Sequence, residues 1–247
     1  MRAILLAGGT GSRLNRLTRI TNKHLLPIFD RSMVEWAVEA LVAGGVDELL
    51  LVTGGERVGD FMRMLGDGSA YGLNELAYAV QERPGGIAEA LGLGERFAKG
   101  GPIVVMLADN IFERSFRATI EAFRENPLGC RLVLSEMEDP THLSHLGVPQ
   151  MDEQGAIVTI VEKPVTPPSN FAVTGVYCYD ARVFDVIKTL EPSGRGELEI
   201  TDVNNHFIGI GEVGYDIHPG FWGDAGESID AYQSVGEFVA RNGANKP

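Results

Sequence analysis

Residues Ala3 to Leu6 are uniformly apolar and run directly into Ala7-Gly8-Gly9-Thr10-Gly11-Ser12-Arg13. An apolar run that stops at paired glycines predicts a buried strand emptying into a loop with unusual backbone freedom. Such a loop suits an anion, because successive backbone N–H groups converge on phosphate only where side chains do not block the approach. Gly8, Gly9 and Gly11 remove three side chains from that approach. Arg13 adds a planar five-donor fork and Lys23, ten residues on, a compact positive charge. The segment reads as a polyphosphate cradle; the bland alternative is a plain strand-to-helix connection.

Two familiar phosphate loops do not fit. A dinucleotide fingerprint starting at Gly9 and Gly11 would need its third glycine at Leu14, and the Walker A spacing is absent. The rest of the chain alternates strand and helix patterns. Helical spacing of apolar residues covers 33–43, 58–65, 87–97 and 116–123, and short apolar strands cover 48–52, 76–80, 103–107 and 131–136. This alternation predicts a parallel-rich sheet covered on both faces. After residue 135 the regularity changes. Strands over 148–151 and 157–161 flank a hairpin turn at Asp152 to Gly155, and a long strand over 171–179 follows. Helices over 182–189 and 200–208, a final strand over 214–218 and a helix over 227–241 complete the chain. One domain over 1–247 is expected, with a nucleotide-binding half over about 1–135 and a substrate half over 136–247.

The chain has 247 residues, 44% of them hydrophobic, enough to bury a substantial core. A net charge of -13 argues against a general nucleic-acid binder, which needs clustered basic residues. Cys130 and Cys178 are isolated in apolar segments and form neither a metal spacing nor a disulfide framework. No run approaches the roughly 20 apolar residues of a membrane span, and the opening run lacks a cleavage pattern. A cytoplasmic protein is expected.

Polar residues after strand ends carry the chemistry in open α/β sheets. Asp109-Asn110 follows the strand over 103–107, and Asp224 lies in Trp222-Gly223-Asp224-Ala225-Gly226 after the last predicted strand. Two such carboxylates can hold Mg²⁺ together with substrate phosphates; capping or turn formation is the alternative for each. Gln81 and Gly86 lie in a loop after another strand, where a carboxamide matches the adjacent acceptor and N–H of thymine or uracil. Glu162-Lys163 closes the strand over 157–161, offering a carboxylate for sugar hydroxyls and an ammonium for phosphate, and Arg195 stands between glycines as a further cation. The five histidines lack a partner argument, and none is assigned to catalysis.

In this order GGTGSRL, NKHLLP, LGDGSAYGL, GGIAEALG, ADNIF, EKP, AVTG, RGELEITD and WGDAG resemble the sugar-phosphate nucleotidyltransferases, in particular the short form of the glucose-1-phosphate thymidylyltransferases, over nearly the whole chain. The resemblance implies a three-layer α/β/α, Rossmann-like fold with a mixed, mostly parallel sheet, as in nucleotide-diphospho-sugar transferases, and an inserted β-hairpin substrate subdomain. It implies that Leu6, Gly8, Gly9, Thr10, Gly11, Ser12, Arg13, Lys23, Gln81, Gly86 and Asp109 meet the nucleotide. Asn110, Gly147, Glu162, Lys163, Val173 and Arg195 would receive the sugar phosphate, Asp109 and Asp224 would hold Mg²⁺, and Arg13, Lys23, Asp109 and Asp224 would carry catalysis.

Three positions depart from the family pattern: Ala108 in place of glycine, Leu146 in place of tyrosine, and Val161 in place of an acidic residue. The Ala108 methyl is expected to crowd the ribose or phosphate. Homo-oligomers are common in the family, although no interface is legible. The expected reaction joins a sugar 1-phosphate, glucose 1-phosphate first, to a pyrimidine nucleoside triphosphate, dTTP first, giving a nucleotide sugar and pyrophosphate. The alternatives are UTP or CTP with another sugar or cyclitol phosphate, and a catalytically silent nucleotide-sugar-binding protein. A NAD-linked dehydrogenase is the remotest, given Leu14.

Overall fold

The computed structural model describes residues 1–9, 11–137 and 139–247. Its centre is β1 (Arg2–Ala7), whose alternate side chains enter two cores. Ala3, Leu5 and Ala7 face one, and Ile4 and Leu6 the other. A strand buried on both faces has no polar side to show, which is why its sequence is a continuous apolar run.

Two short hydrogen-bonded strands, β2 (Pro27–Ile28) and β3 (Arg31–Ser32), precede α1 (Met33–Ala43). Ser32 caps α1 in a reciprocal box with Glu35, satisfying two backbone N–H groups the helix start leaves free. The chain continues through β4 (Glu48–Gly54), α2 (Val58–Leu65), β5 (Glu75–Gln81), α3 (Ile87–Gly92), α4 (Glu95–Ala98), β6 (Ile103–Leu107), β7 (Asn110–Phe112), α5 (Arg117–Glu125) and β8 (Cys130–Glu136). Then come β9 (Gly147–Met151), β10 (Ile157–Glu162), β11 (Phe171–Tyr179), α6 (Val183–Thr189), α7 (Ile200–Gly209), β12 (Val213–Ile217), β13 (Trp222–Asp224) and α8 (Ile229–Asn242).

The main sheet has the order β12-β8-β11-β6-β1-β4-β5. Every neighbouring pair is parallel except the two made by β11. Buried residues of α2, α5 and most of α1 join one core, and those of α3, α4, α6 and α7 the other, while Met33 and Trp36 of α1 pack with α8 in a smaller third. The expected mixed, mostly parallel sheet with helices on both faces is therefore present, and it takes strands from both halves of the chain. The hairpin β9–β10 pairs antiparallel with its register set around Asp152, whose carboxylate accepts from the N–H of Gln154 and Ala156.

Two expectations are corrected. The helix over 87–97 is broken into α3 and α4, because Gly94 packs directly on β1: a Cβ there would stand 2.2 Å from Ile4 Cδ1. The last strand is β13 and not the one over 214–218. It pairs antiparallel with β7, joining Asp224 to Asn110, and three-residue strands are too short to show an alternation. Other boundaries move by one or two residues, as helix and strand ends do. Among the described residues no helix is long and apolar enough to cross a membrane.

Because Leu5 is fully buried at the centre of the sheet, Leu5→Ala is expected to cost about 2–5 kcal/mol. Urea unfolding at constant m-value measures this; a loss well below that range would mean that the centre of the sheet collapses around the deletion.

Candidate active site

From β1 the chain steps outward through β4 and β5 and then returns to the other side of β1 as β6. Where strand order reverses, the loops leaving the carboxyl ends of β1 and β6 part and open a crevice. The glycine turn leaves β1 there, and Ala108-Asp109 leaves β6. A cavity of about 350 Å³ opens at this point.

The turn divides into two parts. Gly8, Gly9 and Arg13 line the cavity, together with Leu6 beneath them. Gly9 has φ of +93° with open space around it, so its glycine answers to backbone conformation. Gly11 and Ser12 do not line the cavity. A Cβ on Gly11 would stand 2.9 Å from Thr18 Cγ2, and Thr18 Oγ1 donates to the Gly11 carbonyl at 2.9 Å, so the loop closes on itself at that point. Thr10 lies outside the described residues.

Lys23 reaches the crevice from a single helical turn, Lys23–Leu25, capped by Asn22. Asn22 Oδ1 accepts from the His24 N–H at 2.9 Å and Nδ2 donates to the Ala7 carbonyl at 3.4 Å, so one side chain ties this turn to the end of β1. Lys23 Nζ donates to Asp109 Oδ2 at 2.5 Å. Burial pulls the Lys23 ammonium down, but Asp109 and Asp224 outweigh it and hold the group above its ordinary value. Burial would raise Asp109; the Lys23 charge prevails and holds it well below the carboxylate range. Asp224 is raised by burial and by the Asp109 charge beside it. His24, buried against the pair, is pushed down to about 3 by burial and by Lys23, and is therefore neutral.

The arrangement leaves two carboxylates facing one ammonium. A hard divalent cation fits this donor set, since Mg²⁺ takes one or two carboxylates and completes its shell with phosphate oxygens and water. Among the described residues no three His, Cys, Asp or Glu side chains cluster as a ready-made metal site. Gly226 keeps the space open: a Cβ there would lie 2.5 Å from Asp109 Oδ2 and 2.7 Å from Lys23 Nζ.

Asn110 lines the cavity, but its amide is already engaged. Oδ1 accepts from the Gly175 N–H at 2.8 Å and from Trp222 Nε1 at 2.7 Å, while Nδ2 donates to Asp109 Oδ1 at 3.0 Å. This buried side chain thus joins β7, β11 and β13 behind the carboxylate. Both lone-pair directions of its oxygen are taken.

The opposite wall carries Gly147, Glu162, Lys163, Val173 and Arg195, all lining the same cavity. Glu162 faces Gly147 across the β9–β10 ladder, accepts from Thr201 Oγ1 at 2.6 Å, and lies 3.0 Å from Lys163 Nζ. Arg195 is held by both oxygens of Glu199 at 2.9 Å. Gln81 and Gly86 close the remaining side. Gly86 is a glycine because φ is +99° and because a Cβ would lie 2.4 Å from the Leu198 carbonyl oxygen. Of the three departures, only Leu146 reaches the cavity. Ala108 is fully buried in the core, so its methyl does not crowd the crevice as expected, and Val161, exposed and paired with Val148 in the hairpin, does not line the cavity.

The family model for nucleotidyl transferases matches residues 2–242. This chain belongs to the nucleotidyl transferase family. A glucose-1-phosphate thymidylyltransferase of Actinoplanes sp. is 42% identical to this nucleotidyltransferase over 238 residues, covering 95% of the chain and 77% of the relative. A glucose-1-phosphate thymidylyltransferase of Neisseria gonorrhoeae is 39% identical, covering 95% and 81%. A solved structure from Bacillus anthracis, described as a glucose-1-phosphate thymidylyltransferase in complex with a sucrose, superposes with a TM-score of 0.90 at 41% identity, covering 97% and 95% of the two chains. A UDP-glucose pyrophosphorylase complexed with UDP-glucose superposes at 0.84 with 21% identity, a likeness of fold alone.

Sequence reasoning passed over several groups that the nucleotidyltransferase sets around this cavity. Asn22 and His24 stand in NKHLLP but were credited only through their lysine. Thr201 and Trp222 make their contacts across sequence separations that no local pattern encodes, whereas Glu199 pairs with Arg195 at an i,i+4 spacing that the sequence does offer. Gly175 is another. A Cβ there would stand 2.7 Å from the Asn110 amide, so Gly175→Ala is expected to lower stability by about 1–3 kcal/mol. Gly209→Ala, which meets open space, serves as the control; equal unfolding midpoints for the two would show that Asn110 yields freely.

Proposed function

We propose that this nucleotidyltransferase joins glucose 1-phosphate to dTTP, giving dTDP-glucose and pyrophosphate. The observation that carries the reading is a single cavity in which Lys23, Asp109 and Asp224 stand on one side of the strand-end crevice and Lys163 and Arg195 on the other. One wall suits a triphosphate and the opposite wall a sugar phosphate. The names of the Actinoplanes and Neisseria relatives support this choice of sugar and base.

A phosphate monoester is already a nucleophile, so no covalent enzyme intermediate is required. An oxygen of the sugar phosphate attacks the α-phosphorus in line. The new P–O bond forms as the bond from the α-phosphorus to the α,β-bridging oxygen breaks, and pyrophosphate leaves with that oxygen and its electron pair. Lys163 and Arg195 align the attacking phosphate, whose charge draws them away from Glu162 and Glu199. Glu162, steadied by Thr201, accepts from sugar hydroxyls. Arg13 and Lys23 neutralise the charge that gathers on the departing pyrophosphate, and positioning together with this neutralisation supplies the rate. Mg²⁺, held by Asp109 and Asp224 when bound, would add charge neutralisation at the phosphates.

Loss of one charge-assisted contact of about 1.5–3 kcal/mol slows turnover roughly ten- to hundredfold. Arg13→Ala and Lys23→Ala are expected to fall in that range while remaining folded, read as pyrophosphate release from dTTP and glucose 1-phosphate; unchanged steady-state rates would remove both from the phosphate site. Asp109→Asn is expected to lose most magnesium-dependent activity, and a fully active variant would sink the carboxylate assignment. A panel of dTTP, UTP and CTP against several sugar 1-phosphates tests the substrate pair itself, and absence of pyrophosphate from every pair would reject the reaction.

A further inference from the structure

Gln81 ends β5 with its carboxamide at the cavity wall. Its nitrogen lies 3.2 Å from the Gly86 carbonyl oxygen and 3.2 Å from Glu89 Oε1. A carbonyl and a carboxylate can only accept, so the NH₂ end must be the one that faces them, and both of its hydrogens are used. The Gln81 oxygen is left on the side of Gly8, where a Cβ would stand 3.4 Å from it. The sequence alone offers a carboxamide with donor and acceptor both available; in the fold only the acceptor remains.

Glu89 is what makes this orientation one-sided, and it is braced twice. Arg83 Nη2 donates to Glu89 Oε2 at 2.9 Å. Gly85 supplies the space: a Cβ there would stand 2.1 Å from Glu89 Oε1, and its backbone lies outside the left-handed region, so room and not conformation accounts for the glycine. Without Glu89 the carboxamide could turn over and present N–H to the cavity, constrained only by the Gly86 carbonyl.

We propose that Glu89, braced by Arg83 and Gly85, is a positioning residue for base selection. It fixes the Gln81 amide with its oxygen toward the cavity, so the site takes pyrimidines with a ring N3–H, thymine or uracil, and rejects cytosine, whose N3 carries a lone pair. Two facing acceptors leave a buried polar group unpaired, and sites built to hydrogen-bond one partner reject the mismatched one strongly for that reason. This rests on the reading above that a nucleobase lies against Gln81.

The experiment measures kcat/KM for dTTP, UTP and CTP at saturating glucose 1-phosphate in the wild type, Glu89→Leu, Glu89→Gln and Arg83→Ala. The wild type is expected to prefer dTTP and UTP over CTP. Glu89→Leu is expected to lower that preference about tenfold, the size of one lost hydrogen bond to a charged group, with KM for glucose 1-phosphate unchanged. Glu89→Gln keeps an acceptor oxygen and restores most of the preference. Arg83→Ala, an exposed change, shows the same loss in smaller degree and carries the test if Glu89→Leu folds poorly. A wild type that uses CTP as well as dTTP, or a dTTP-to-CTP ratio unmoved in both Glu89→Leu and Arg83→Ala, overturns the proposal. If no pair turns over, calorimetric titration with dTTP and with CTP decides. Equal affinities overturn the base assignment, whereas a dTTP preference that falls in the variants upholds it and places the failure in the proposed reaction.

Discussion

The site depends on one electrostatic compromise: the buried Asp109 and the half-buried Asp224 are brought together against a single ammonium, Lys23. Each carboxylate alone would be costly to bury, and together they repel. The fold holds them there through rigid parts. Asp109 leaves the end of β6, Asp224 ends β13, and the β7–β13 pairing fixes one relative to the other. Asn110 braces the arrangement from behind, and Gly226 keeps its front clear. Surplus negative charge with room around it suits a hard cation whose remaining ligands are phosphate oxygens and water.

Much of this architecture was legible from the chain. The main strands announced themselves because parallel strands covered on both faces are unbroken apolar runs, and the turn after β1 because its glycines follow such a run. What sequence could not show was how the ends are finished. β7 and β13 are three residues each and carry no periodicity, so the pairing that places Asp224 beside Asn110 had no signal. The helix break at Gly94 depends on Ile4 of a strand some ninety residues earlier, a contact that no helical spacing can reveal.

The same division holds within the site. Nearly all the residues singled out by their chemistry line one cavity, because strand ends in this topology converge. The surroundings qualify what a residue's type suggests. Gly11 was credited to an anion, and its missing side chain answers to Thr18. Ala108 was charged with crowding a ligand, and its methyl is packed in the core. Asn110, placed by the resemblance at the sugar phosphate, does line the cavity, and its oxygen is already taken by Gly175 and Trp222. Thr18 is only seven residues from Gly11, whereas Gly175 and Trp222 reach Asn110 from far along the chain.

The segment at Leu198 has a mechanical consequence. Its N–H donates to the Gly85 carbonyl, its carbonyl accepts from the Ala88 N–H, and Gly86 is pressed against its backbone. Arg195 and Glu199 stand within three residues on either side, and Gln81 and Glu89 flank the loop it grips. The side of the cavity lined by Gln81 and Gly86 and the side lined by Arg195 are therefore joined along one seam of backbone hydrogen bonds. The Leu198 backbone thus serves as a common strut for both sides of the cavity, so neither loop is anchored without the other.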